Sequence, residues 1–315
     1  MVRIFYRQGN KVLKETDVRQ LGQIPNIMWI DLQNPTLEDE EWVESKCGIS
    51  IQTPAEIQEI ETSSRYFERY NEITVNSTFL KLEDGNFTKH PVSFILKNNT
   101  LVTYRQSDLS TFADVNRKIK TNNENFTSCY DVMMMIQETR IDLDADMIER
   151  MSGEVTTFSR RLAEANPNSY TDLLIDITTL QENTMALRES MVDKQRVLSY
   201  LLKSVYFPED KKGRLRIVIK DINSLIEHTT FTFERLEYLQ NTITGLINIE
   251  QNKIIKRFTV FTIAFLPPTL ISGIFGMNFG FIPMSEWSAG FFISIMLMFA
   301  STGSVLLIFK RKGWI

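Results

Sequence analysis

Residues 258–309 read FTVFTIAFLPPTLISGIFGMNFGFIPMSEWSAGFFISIMLMFASTGSVLLIF. From Phe258 to Ser285 no side chain is ionisable, a second uncharged run extends from Trp287 to Phe309, and Glu286 is the only charge between them. Each run exceeds the roughly 20 apolar residues that cross about 30 Å of hydrocarbon. The chain is therefore expected to end in a membrane hairpin.

The flanks orient that hairpin. Lys253, Lys256 and Arg257 precede the first run, Lys310, Arg311 and Lys312 follow the second, and the connection carries no Lys or Arg. An excess of cations on the cytoplasmic side places both ends inside and the Gly276–Asn278 turn outside, with Trp287 and Trp314 as outer and inner interfacial anchors.

Composition agrees with a soluble part joined to this hairpin. Of 315 residues 43% are hydrophobic, enough for one sizeable domain, a helical region and two spans. The net charge of −4 is unevenly spread: residues 1–250 hold 29 basic and 38 acidic residues, a net of −9. An acidic soluble part excludes a nucleic-acid partner and tolerates cations. Cys47 and Cys129 are isolated, which suits a reducing cytosol and offers no disulfide framework. No basic, apolar leader opens the chain at Met1-Val2-Arg3-Ile4, so insertion is expected to depend on the C-terminal spans.

The first 128 residues alternate strand-like runs, Val2–Tyr6 and Ile27–Leu32, with capped helices at Thr36-Leu37-Glu38-Asp39 and Thr53-Pro54-Ala55-Glu56. Arg65–Lys81 alternates as paired strands do, and Asn98-Asn99 between Val92–Leu96 and Leu101–Tyr104 predicts a tight hairpin turn. Apolar residues then recur at three- and four-residue steps to Asn166-Pro167-Asn168, and again to Phe207-Pro208, predicting two long antiparallel helices. A third helical pattern starts near Gly213 and meets no proline until Pro267. Pro267 and Pro268 lack backbone donors, so they should release the carbonyls of Ile263 and Ala264 and bend the helix.

One face of this third helix follows alternating steps of four and three: Asn241, Gly245, Asn248, Asn252, Ile255, Thr259, Thr262, Leu266, Thr269 and Gly273. The mean step of about 3.5 keeps one seam turned toward partner helices. The seam is mostly amide, hydroxyl or glycine, which inside a membrane is best satisfied by water or an ion. A second reading has the threonines bonding back to their own helix and the small residues only allowing close packing. Two spans cannot enclose a hydrated ion, so several copies must assemble with this helix innermost. Ile255 and Leu266, the bulky apolar members, are the gate candidates, since rings of such side chains close a pore by dewetting.

Gly276-Met277-Asn278 at the end of a span, a short loop, and a last span ending in Lys310-Arg311-Lys312-Gly313-Trp314 resemble the CorA family of divalent-cation channels. Trp29-Ile30-Asp31-Leu32 with Pro35-Thr36 is similar to the family's early strand-to-helix segment, and Pro267 with Thr269 and Gly273 to its first span. The resemblance implies a homopentamer with a cytoplasmic α/β funnel, stalk helices lining the pore and second spans outside. It makes Gly276, Met277 and Asn278 the outer ring that captures a hydrated cation, with Thr269, Leu266, Thr262, Thr259, Ile255, Asn252, Asn248 and Asn241 lining the path inward. The loop Phe279-Gly280-Phe281-Ile282-Pro283 has no acidic residue before Glu286 and looks closer to the ZntB zinc-transporting branch.

The expected fold class is thus α+β, in seven segments: a cytoplasmic α/β domain over 1–128, an antiparallel long-helix pair over 129–207, a stalk helix over 208–257, a first transmembrane helix over 258–279, an outer loop with the capture motif at 280–286, a second transmembrane helix over 287–309 and a basic cytoplasmic tail over 310–315. The stripe's oxygens suit a hydrated hard cation, Mg²⁺ first and Co²⁺ or Ni²⁺ next, held through its waters. Zn²⁺ transport, proton-coupled or not, is the alternative, and a membrane-anchored helical scaffold or sensor the more remote one. No nucleotide loop or nucleophile–base set suggests an enzyme or a resident cofactor, and transport in a cell's inner membrane would draw on the membrane potential. Met133-Met134-Met135 should place two side chains in the core, His228 should be solvated or packed, and Lys211, Lys212, Arg214 and Arg216 should form a solvated face.

Overall fold

Seven strands share one sheet because their apolar residues can be covered from both sides. In the computed structural model these are β1 (Val2–Gln8), β2 (Lys11–Glu15), β3 (Ile27–Gln33), β4 (Tyr66–Arg69), β5 (Glu72–Glu83), β6 (Asn86–Lys97) and β7 (Thr100–Arg105). The structure describes residues 1–59, 65–122, 124, 126–277, 280, 284 and 287–313. The strand order is β2-β1-β3-β7-β6-β5-β4, with β3 and β7 parallel and the other neighbours antiparallel. Asn98 and Asn99, at φ 49° and 62°, turn β6 into β7 as their sequence predicts.

The helices are α1 (Leu37–Cys47), α2 (Pro54–Gln58), α3 (Ser110–Thr121), α4 (Cys129–Ala163), α5 (Tyr170–Lys203), α6 (Glu209–Phe275) and α7 (Gly290–Arg311). Thr36 and Thr53 each cap their helix in a reciprocal capping box, which assigns the Glu38–Glu41 run to helix N-terminal charge. The chain divides into two units, Met1–Glu164 with Asp172–Leu239 and Ala165–Thr171 with Gln240–Ile315.

In the first unit the pleat of β3 sends Ile30 and Leu32 into a core with Val43 and Ile57 of α1 and α2. Trp29 points the other way, into a larger core with Phe112, Val132, Met133 and Met134. Trp29 stacks on Phe5 at 4.5 Å and donates from Nε1 to Thr103 Oγ1 at 2.9 Å. Below it Arg105 grips Asp31 through Nε and Nη2, at 3.1 and 3.0 Å, with both side chains fully buried. Such a pair is stable only intact, because removing either partner strands a charge.

A second buried cluster ties α4 to α5. Arg140 Nε donates to Asp144 Oδ1 at 2.8 Å, and Lys194 Nζ stands 3.1 Å from Asp144 Oδ2. Burial pushes the Lys194 ammonium down to about 8, and Asp144 offsets only part of that.

In the basic run after Pro208, Arg216 is solvated as expected, but Lys211 and Arg214 are not free. Lys211 Nζ lies 2.6 Å from Asp131 Oδ1, and Arg214 donates to both carboxylate oxygens of Glu138 at 3.0 and 2.7 Å. These cations clamp α6 to α4, a pairing invisible in a run whose partners sit on another helix. Met133 and Met134 are core residues as expected, and His228 is exposed.

Candidate functional site: an oxygen-lined helix face

The stripe from Asn241 to Gly273 falls wholly within the second unit, on α6. At about 100° per residue its ten members occupy one sector roughly 120° wide. Most of it is open in the single chain, Ile255 and Leu266 being 60% and 61% exposed.

The less exposed positions Val260, Ala264, Pro267, Pro268, Ile271 and Phe275 recur on the opposite side of α6. There α7 meets it: the single hydroxyl hydrogen of Thr302 is shared between Met298 O of its own helix at 3.0 Å and the Ala264 carbonyl at 3.4 Å. Small residues line the covered edge of α7, and Gly290 and Ser294 are buried. A Cβ on Gly290 would collide with the Met284 carbonyl oxygen. Close approach of this kind needs small residues. The helix itself continues through Pro267 and Pro268. Sequence reading missed Thr302; the signal was a hydroxyl in an apolar span, opposite a proline that frees a carbonyl.

Along the stripe, Thr259 donates to Ile255 O at 2.8 Å, Thr262 to Phe258 O at 2.9 Å and Thr269 to Phe265 O at 2.7 Å. These are the bonds that the packing reading of the stripe expects, so the hydroxyls are satisfied without water. With the hydrogen committed, each hydroxyl offers only lone pairs outward. Water bound to a cation turns its hydrogens outward, so this face fits a hydrated cation and disfavours an anion.

Thr262, Leu266, Thr269, Gly273 and Met277 line one open groove of about 840 Å³, walled by Phe265 and Ile274. The structure therefore brings Met277 of the Gly-Met-Asn motif onto the same face as Leu266, the gate candidate nearer to it. Asn241, Asn248, Asn252, Ile255 and Thr259 continue the sector toward the start of the unit. Gly276 closes α6, its N–H donating to Ser272 O at 2.9 Å. Met277 is 47% exposed. Asn278, Phe279, the Phe281–Pro283 segment, Glu286 and Trp314 lie outside the described residues, whereas Trp287 is exposed.

At the other end of the hairpin Lys256 Nζ donates to the Gly313 carbonyl at 3.4 Å, which brings the two basic flanks together. Among the described residues no group of three or more His, Cys, Asp or Glu side chains could hold a metal. Two helices among the described residues, α6 and α7, are long and apolar enough to cross a membrane.

Residues 26–311 match the family described as CorA-like Mg2+ transporter protein. The chain belongs to this family. The magnesium transport protein CorA of Wolinella succinogenes is 36% identical, with 100% of each chain covered. The complete structure of the CorA magnesium transporter from Methanocaldococcus jannaschii, 20% identical, superposes with a TM-score of 0.82 over 100% of this chain and 99% of that one. The cytoplasmic domain of ZntB from Vibrio parahaemolyticus shares the fold more distantly, at 13% identity and a TM-score of 0.61, covering 78% of this chain and 97% of the domain. The CorA fold accounts for an α/β sheet domain followed by a long helix and two apolar C-terminal helices, the architecture expected from the sequence.

Proposed function

We propose that this CorA-family protein conducts hydrated Mg²⁺ across a cell's inner membrane as a homopentamer, with the α6 stripe facing a common axis. The observation that carries the reading is the opposition on α6: one side meets α7, and the other offers hydroxyl lone pairs from Thr262 and Thr269, both exposed in the single chain. Copies meeting through that second side would enclose an acceptor-lined path. Mg²⁺ dehydrates reluctantly, and acceptors aimed at its waters suit it better than direct ligands would. Co²⁺ and Ni²⁺ would follow the same route.

Gly276, Met277 and Asn278 form the outer capture ring in this reading, and Leu266 and Ile255 the dewetting gate. Both termini face the cytoplasm, consistent with the meeting of Lys256 and Gly313 at one basic end. Two charges entering an inside-negative cell gain roughly 4.6 kcal/mol per 100 mV, so no chemical energy source is needed.

The second reading, Zn²⁺ transport, draws on the uncharged stretch after Asn278. Flux into liposomes under an imposed inside-negative potential separates the two, with Mg²⁺, Co²⁺, Ni²⁺ and Zn²⁺ supplied in turn and with or without a pH gradient. Potential-driven Mg²⁺ uptake indifferent to the pH gradient is expected. Zn²⁺ flux that follows the pH gradient would replace this reading, and no flux of any ion would favour a membrane-anchored scaffold.

A further inference from the structure

The second unit carries another concavity, on a different side of α6 from the stripe. Lys253, Lys256 and Arg257 stand with Val260, Phe261, Ala264, Phe265, Thr302 and Leu306 around a groove of about 570 Å³ between α6 and α7. Its cations are sequential with the start of the first apolar run, and its walls descend along that run. Phe261 and Phe265, with ring centroids 4.6 Å apart, stand between this groove and the stripe.

The charge around it is one-sided. Lys310, Arg311 and Lys312 end α7 close by, since Lys256 reaches the Gly313 carbonyl. Of these six cations only Lys253 has a carboxylate partner among the described residues, Glu250 at 3.2 Å. A charged mouth over an apolar floor, placed where a hydrocarbon segment begins, has the chemistry of an anionic headgroup joined to an acyl chain. A soluble anion would use the mouth and leave the floor unfilled, whereas a zwitterionic lipid would leave the cations uncompensated.

We infer that this groove is a binding site for an anionic phospholipid, its phosphate held by Lys256 and Arg257 and an acyl chain lying on Val260, Phe261, Ala264 and Leu306. The inference rests on the membrane placement of α6 and α7 but not on which ion is carried. Bound lipid is therefore read directly, without transport. The full-length protein is extracted from vesicles of equal phosphatidylglycerol and phosphatidylcholine, and retained lipid per protomer is counted by native mass spectrometry.

Retention of phosphatidylglycerol over phosphatidylcholine is expected, reduced about tenfold in Lys256→Gln/Arg257→Gln and unchanged in Lys220→Gln. Added glycerol 3-phosphate should not displace it. Equal retention of the two lipids by the wild type overturns the proposal without any variant. So does undiminished retention in the double variant, displacement by glycerol 3-phosphate, or a disulfide between copies carrying Val260→Cys, which would mean that protein fills the groove.

Discussion

The Thr302 hydroxyl donates to the Ala264 carbonyl, 3.4 Å away, and Ala264 is the residue whose backbone donor Pro268 removes. A proline pair in the middle of a membrane helix leaves polar groups in hydrocarbon, and α7 supplies one of the missing partners. Thr302→Val should therefore lower the unfolding free energy in detergent by about 0.6 kcal/mol. In a Pro268→Ala background Ala264 regains a backbone donor, and the same substitution should cost less. Equal penalties in the two backgrounds, measured as a double-mutant cycle, would show that the two residues are not coupled.

Ile255 and Leu266 are the stripe's large apolar side chains, exposed at 60% and 61% in a single chain. If rings of them exclude water, Leu266→Ala and Ile255→Ala should each raise leak current severalfold at rest. Unchanged closed-state current in planar bilayers would remove both from the gate.

At the motif, Asn278→Ala should reduce uptake to background while leaving the oligomer intact. Gly276→Ala is expected to act more mildly through geometry, since an added Cβ would stand 3.1 Å from the Ser272 carbonyl and the turn must shift to admit it. Isotope uptake beside a sizing column checks both; normal uptake by Asn278→Ala would withdraw the capture role.

The buried Lys194 predicts a pH signature in the first unit. Free lysine titrates at 10.5, whereas burial brings Lys194 to about 8. Between those values the unfolded chain keeps a proton that the folded chain has released, so folding gains stability as pH rises through that window. Relative to Lys194→Met, the wild type should gain at most about 1.4 kcal/mol per pH unit from pH 8 to 10.5. Asp144→Asn leaves Arg140 and Lys194 unbalanced and should cost ~3–5 kcal/mol at neutral pH. Denaturant titration of the solubilised protein reads both, and a flat pH difference would contradict the assigned burial.

Much of this was legible because it was local. Thr36 and Thr53 announce their helices by capping, Asn98-Asn99 announces a turn by its tolerance of positive φ, and the stripe announces itself by period. Two elements were silent. The helix α3 begins after Leu109 with no side-chain cap, and β2 is a five-residue edge strand with little apolar content. Partnerships between distant helices were also silent. Lys211 and Arg214 look solvated until α4 brings Asp131 and Glu138 to them, and Pro268 reads only as a bend that frees a carbonyl until α7 brings Thr302 to it. At the site, sequence supplied which residues share a face; only packing supplied which face α7 leaves open.

An open face of α6 that lines a wet path must admit a water-soluble thiol reagent. The native cysteines are a quiet background, because burial pushes the Cys47 thiol up to about 11 and that of Cys129 up to about 12. A membrane-impermeant cationic thiol reagent should therefore modify Thr262→Cys and Thr269→Cys in reconstituted protein and block Mg²⁺ flux, while Ile271→Cys on the α7 side stays unmodified and conducting. Modification and block at Ile271→Cys, with Thr262→Cys and Thr269→Cys inert, would contradict the account.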